Sequence, residues 1–100
     1  TLSLGLMVLG KNEEAEEIAS AVLRSDPKAV SDRLTALGRL AVINVFKGET
    51  EKAREYGRQI LEARSYLTIS IVRMYVFGSF TDKEFVERYL DGLRQAGLPE

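Results

Sequence analysis

The chain has 100 residues, of which 45% are hydrophobic and 29% charged, a composition typical of one folded domain or of part of a larger one. Histidine and cysteine are absent, which removes the commonest general base, the commonest metal ligands and any disulfide. The formal net charge of -1 argues against a nucleic-acid surface, and no apolar run is long enough to predict a membrane span.

Residues 1–27 predict a first pair of helices. The apolar segment TLSLGLMVL stops at Gly10, and Asn12 is a good N-cap for the helix that follows. The apolar residues of that second helix recur at helical spacing and form one stripe: Ala15, Ile18, Ala19, Val22 and Leu23. Asp26 and Pro27 end the helix, because the residue before a proline avoids the α region and proline has no N–H to donate.

Residues 28–64 predict a second pair. A helix from Ser31 to about Phe46 is apolar around most of its circumference, so it must be buried on more than one side. Gly48 supplies the turn, Thr50 is placed to cap the next helix, and the stripe of the first pair then recurs. Within that stripe Gly57 takes the place of Ala19, and a small residue there allows two helix backbones to approach closely.

Residues 65–100 predict a third pair, although the segment 65–80 is ambiguous. Its β-branched residues favour a strand on propensity, whereas its length and its place in the repeat favour a helix, which is our prediction. Thr81 and Glu84 form a capping box that opens the last helix. Gly97 is a natural left-handed cap, and Pro99 prevents further helix.

The three units, 1–27, 28–64 and 65–100, share a common pattern. It is carried by Leu2, Ser3, Leu6, Gly10, Ala15, Ile18, Ala19 and Ser25-Asp26-Pro27, and again by Leu40, Ala41, Gly48, Ala53, Gly57, Ile60 and Leu61. This pattern is similar to tetratricopeptide (TPR) repeats, helix-turn-helix units with a period of about 34 residues. The resemblance implies an all-α, TPR-like superhelix of about six antiparallel helices in three hairpins. The second unit departs from it by lacking Asp-Pro, and the third by placing the bulky Phe85 where a small residue is expected.

The ending, residues 85–100, resembles the carboxyl-terminal tail of bacterial class III adenylate/guanylate cyclases that carry TPR-like repeats after the cyclase domain. The resemblance implies that this chain is the accessory region only and that the catalytic domain lies outside it. Because the sequence begins at Thr1, already inside an apolar helical pattern, we expect a fragment of a longer protein. Without a signal-peptide pattern, we also expect it to be cytoplasmic.

Neither of the two motifs that suggest chemistry supports a cofactor or a metal ion. The run from Gly5 to Lys11 has the spacing of a phosphate-binding loop, but its interior is apolar and Asn12 stands where a hydroxyl is needed. The glutamates between Glu13 and Glu17 suit a solvated helix start better than a cation site. With no acid-base or nucleophile constellation present, we predict no enzymatic activity within these residues.

Eight residues are candidates for a groove or an interface: Arg39, Val42, Asn44, Phe46, Tyr66, Arg73, Tyr75 and Phe77. The polar ones either point to solvent at a helix edge or line an inner groove. The first helix of each pair is apolar nearly all round, and an exposed apolar face of that extent usually marks an interface. We therefore expect a protein–protein interaction or self-association module, most simply a homodimer that associates through its first helices. The alternative is a small-molecule-sensing domain of a bacterial signalling or transcription regulator, with the ligand held among Tyr66, Arg73 and Tyr75.

Overall fold

A computed structural model of the protein describes residues 2–26, 28–78 and 81–100, with side chains for all of these except Leu2, Ser3, Tyr75 and Val76. Across these ranges the chain forms helices and turns and no strand, so the all-α prediction is confirmed. The helices are α1 (Leu2–Val8), α2 (Asn12–Arg24), α3 (Val30–Phe46), α4 (Thr50–Ala63), α5 (Ile69–Phe77) and α6 (Lys83–Gln95). Pro27, the predicted helix stop, lies outside the described residues; α2 ends at Arg24, and Asp26 has a positive φ of 52°.

The ambiguous segment 65–80 contains α5, so its strand alternative is wrong. The helix is shorter than predicted, since residues 65–68 are not helical and residues 79–80 lie outside the description. Thr68 caps it by accepting a hydrogen bond from the backbone N–H of Ile71 at 3.2 Å. Ile69 and Phe77 lie on one face and are buried. Burial of that face outweighs the β propensity of the segment.

The predicted glycine turns are confirmed. Gly10 and Gly48 have φ values of 79° and 80°, a conformation that glycine adopts without steric cost. Each lies in a tight turn in which the following residue donates its N–H back to the ending helix: Lys11 to the carbonyl of Leu6 at 2.8 Å, and Glu49 to the carbonyl of Asn44 at 2.7 Å. These turns make α1–α2 and α3–α4 antiparallel neighbours.

The predicted side-chain caps are only partly correct. Asn12 and Thr50 are the first helical residues of α2 and α4, one position too late to act as N-caps, and neither helix has a side-chain cap. Helix α6 begins one residue later than the predicted capping box requires. The cap is therefore Asp82 and not Thr81, and its carboxylate accepts from the N–H of Phe85 at 3.0 Å.

Helix α3 is the centre of the fold. It packs against α4, its partner in the hairpin, against α2 of the preceding pair, and also against α6. Every residue from 36 to 44 is buried as a result, which confirms that this helix must be covered on more than one side. Of the third pair, α6 packs directly on α3, while α5 packs against α6. The three pairs form a body of 30 × 29 × 25 Å.

The carboxyl-terminal residues hold the start of α5. After Gly97, with φ of 107°, Leu98 turns back toward α6 and its N–H donates to the carbonyl of Leu93 at 3.1 Å. The side chain of Leu98 is 5% exposed. The carbonyl of Pro99 accepts from the N–H of Ile69 at 2.8 Å, which satisfies a donor at the beginning of α5. This contact holds the beginning of α5 beside the end of α6.

Candidate functional site

A pocket of about 480 Å³ lies where α3, α5, α6 and the carboxyl-terminal turn meet. This volume is within the usual range for small-molecule sites, roughly 300–1,000 Å³. Most of the wall is aliphatic, and its members include Leu34, Ile60, Leu67, Val72, Leu93 and Leu98. Ser31 and Thr35 add hydroxyl groups from the first turns of α3. We call this space the α3–α6 pocket.

Arg39 is the charged residue of this wall. It lies in the middle of α3 and is only 6% exposed. Its Nη1 donates to the hydroxyl of Tyr89 at 2.9 Å, and its guanidinium carbon lies 5.6 Å from the centre of the Tyr89 ring. Its Nε is buried and has no hydrogen-bond partner among the described residues. Among the described side chains no carboxylate forms an ion pair with Arg39.

Tyr89 supports Arg39 from α6. It is 2% exposed, and burial raises the pKa of its phenol, an effect that the neighbouring Arg39 charge opposes only in part. The phenol therefore stays neutral and can accept from the guanidinium. Gly38 makes room for it, because a Cβ at that position would lie 3.2 Å from the Tyr89 oxygen. The arrangement is thus a neutral acceptor beside a buried cation.

Two of the predicted site residues, Arg39 and Tyr66, line the α3–α6 pocket. Tyr66 is 64% exposed and stands at its rim. Two others lie in the core next to it: Phe77 meets Tyr89 edge-on with ring centres 5.0 Å apart, and Val42 faces Gly92 of α6. Their packing holds α5 and α6 in place and leaves them no contact surface for a partner.

The remaining candidates lie elsewhere. Asn44 is 1% exposed and donates to the carbonyl of Leu40 at 2.8 Å. Arg73 is exposed on α5 and forms an ion pair with Glu87, which holds the pKa of that carboxyl below its ordinary value. Phe46 is half-exposed at the end of α3. The side chain of Tyr75 lies outside the described residues, so the predicted grouping of Tyr66, Arg73 and Tyr75 stays a prediction; of the residues described, Tyr66 shares its pocket with Arg39.

Phe46 belongs to a second concavity, of about 750 Å³, between the α1–α2 turn, the end of α3 and α6. Met7, Val45 and Phe46 form its apolar part, and Arg88 and Asp91 lie on its polar side. The guanidinium carbon of Arg88 is 5.9 Å from the centre of the Phe46 ring. We call this surface the α1–α6 groove.

Tyr89 is the site residue that sequence reasoning missed. Its contact with Arg39 was not predicted. The signal was present in both helices: an arginine within the long apolar stretch of α3, and an aromatic residue with a polar end on the apolar stripe of α6. A buried arginine needs an acceptor, and tyrosine is one of few residues that supply it from an apolar face.

Comparison with protein-family models, curated proteins and solved structures gave no match. Within the described ranges no helix is long and apolar enough to cross a membrane, and no group of three or more acidic side chains is placed to hold a metal ion. The geometry of the α3–α6 pocket and of the α1–α6 groove is therefore what bears on function.

Proposed function

We propose that this chain is a non-catalytic binding domain whose α3–α6 pocket holds a small molecule. One observation carries the proposal: Arg39 is nearly completely buried in the wall of an apolar pocket and pairs with no carboxylate of the described chain. An unpaired buried charge costs on the order of several kcal/mol after relaxation. Such a cost is commonly tolerated where a ligand or a partner uses the charge.

Sensing follows from the position of the pocket. Its walls come from α3 on one side and from α5 and the carboxyl-terminal turn on the other. Helix α5 is short, and its contacts are chiefly with α6 and with the carbonyl of Pro99. A ligand that touches both walls stabilises the docked position of α5, and an attached domain can respond to that change. This role is the small-molecule-sensing alternative of the sequence analysis.

The experiment is a fragment screen of the ¹⁵N-labelled chain by two-dimensional NMR, with anionic, neutral and cationic fragments. We expect hits whose shift changes cluster at the pocket residues of α3, α5 and α6. Thr35→Trp should abolish them by filling the pocket from an exposed position. Asp32→Trp, also exposed on α3 but outside the pocket wall, should leave them intact. The proposal fails if no fragment binds there, or if both variants behave alike.

A second candidate function is the protein interaction or self-association module, supported by the α1–α6 groove. Phe46 is 37% exposed in the groove, and Leu9, two residues beyond Met7, is 71% exposed. The apolar face of α3 argues less for it than expected, because α6 of the same chain covers that face. Light scattering should find a dimer that Phe46→Glu dissociates. The control Met74→Glu, at a residue 68% exposed on α5 and outside the groove, should leave the dimer intact. A monomer at tens of micromolar would refute self-association.

The parent protein belongs to the same proposal. The resemblance of residues 85–100 to cyclase tails supports an accessory region of a bacterial class III adenylate/guanylate cyclase, and the repeated pattern supports a TPR-like superhelix. Because α6 packs on α3, the proposed superhelix would have a more closed form than an array with an open groove. The coding sequence upstream of Thr1 tests the assignment, since it must encode a cyclase domain.

A further inference from the structure

We infer that the α3–α6 pocket binds a monocarboxylate with an apolar body, recognised by Arg39. This inference rests on the proposed binding function and adds the chemical class of the ligand. Three features of the pocket lead to it: the positive charge of Arg39, the aliphatic character of the remaining wall, and the neutral phenol of Tyr89.

The charge favours an anion. Arg39 contributes one positive charge, and none of the described residues that line the pocket is Asp or Glu. A guanidinium presents N–H groups in a planar fork that matches the two oxygens of a carboxylate. The Nη1 of Arg39 donates to Tyr89, whereas its Nε has no partner among the described residues. Because Nε is buried, the guanidinium must rotate slightly toward the pocket before it can donate to both oxygens of a carboxylate. Among the described residues only the hydrogen bond to Tyr89 opposes this rotation.

The wall favours an apolar body and a single charge. Leu34, Leu67, Val72 and Leu93 contribute aliphatic surface to the same pocket as Arg39. A dianion such as a phosphate monoester would leave one charge uncompensated in this surrounding, at high cost. An aliphatic or aromatic carboxylate instead places its chain on the aliphatic wall, at about 25 cal/mol for each Å² removed from water.

Tyr89 is compatible with an anion beside it. A phenol is neutral at neutral pH, and burial moves the pKa of Tyr89 further above its ordinary value, so the side chain does not repel a carboxylate. It also orients the guanidinium through the 2.9 Å hydrogen bond. Tyr89 is therefore a positioning residue for Arg39.

Calorimetric titration with octanoate, octan-1-ol and octylammonium tests the inference, since the three probes share one chain and differ in charge. A hydrogen bond to a charged group predicts that octanoate binds about ten-fold or more tightly than octan-1-ol. Octylammonium should not bind measurably. NMR shifts with octanoate should appear at residues 38, 39, 67 and 72.

Variants separate charge from shape. Arg39→Met removes the charge and retains an unbranched side chain at the buried position. Thermal unfolding of this variant serves as the control that it is folded. The substitution should lower octanoate affinity to that of octan-1-ol and leave octan-1-ol binding unchanged. Arg73→Met, which removes an exposed cation outside the pocket, should change neither. If Arg39→Met does not fold, the comparison of probes on the wild-type chain decides alone.

The outcomes distinguish the two proposals. Equal binding of octanoate and octan-1-ol in the pocket overturns the carboxylate inference and leaves the binding function standing. Tighter binding of octylammonium does the same. Absence of any probe or fragment from the pocket overturns both.

Discussion

Gly57 of α4 lies directly against the backbone of Ala96 at the end of α6, and this contact gives the sharpest prediction. A Cβ on Gly57 would lie 2.1 Å from the carbonyl oxygen of Ala96 and 3.3 Å from its Cβ. The oxygen belongs to the backbone and cannot rotate away. The two helices must therefore separate by roughly 1 Å if Gly57 is replaced by alanine.

The magnitude follows from two opposing effects. Overpacking of this kind costs about 1–3 kcal/mol, and a clash with backbone belongs at the upper end. Alanine recovers about 1 kcal/mol because it is the better helix former. We expect Gly57→Ala to lower the free energy of unfolding by about 2 kcal/mol, which corresponds to a fall in Tm on the order of 10 °C for a domain of this size.

Urea denaturation followed by circular dichroism measures the change, and Gly5→Ala is the matched control. Gly5 is also helical, but a Cβ there would meet no atom within 4 Å. Its replacement should raise stability by up to about 1 kcal/mol. The reasoning is refuted if Gly57→Ala is as stable as the wild type, or if both variants lose stability equally.

Three further predictions concern single polar groups, each measured by the same denaturation assay. Asp82→Ala should lower the free energy of unfolding by about 1 kcal/mol because it removes the cap of α6, whereas Thr81→Ala should change it by nothing measurable. A larger loss in Thr81→Ala than in Asp82→Ala would show that Thr81 is the cap, as the sequence predicted. Asn44 is buried, and its Oδ1 has no partner among the described residues. Asn44→Leu should therefore change the free energy of unfolding by no more than about 1 kcal/mol, while Asn44→Asp, which buries a charge, should lower it by about 3 kcal/mol. A large loss of stability in the leucine variant would contradict this reasoning. The pKa of Tyr89 in the folded state is raised above its ordinary value of 10.0. Its contribution to the free energy of unfolding is therefore complete below pH 10.0 and is lost at higher pH, because the phenol ionises first in the unfolded chain. Tyr89→Phe should therefore lose less stability than the wild type between about pH 9 and pH 11, and an equal loss in both would rule out this source.

Most of the helices could be predicted because their signals are local. Gly10 and Gly48 fix turns through a backbone conformation that other residues avoid, and the apolar stripes fix which face of each helix is buried. The caps were less accurate, because a shift of one residue in the helix start transfers the role from Thr81 to Asp82.

The candidate site was predicted less well, because it depends on which helices meet. Arg39 was recognised as a polar residue on an apolar helix, but whether it faced solvent or a groove could not be decided from α3 alone. The answer depends on α6 packing against α3 and bringing Tyr89 to Arg39. Gly57 illustrates the same limit: its small size was recognised as allowing a close approach, but its neighbour, Ala96 directly after α6, was not predicted.

The packing of α6 on α3 also has a consequence for how the chain unfolds. Arg39 and Tyr89 lie 50 positions apart, so this contact forms only when both halves of the chain are ordered together. A linear array of repeats can fray progressively from one end, since each repeat depends only on its neighbours. In this fold, unfolding of α6 exposes the apolar face of α3 to water. The chain should therefore unfold cooperatively, as a single thermodynamic unit.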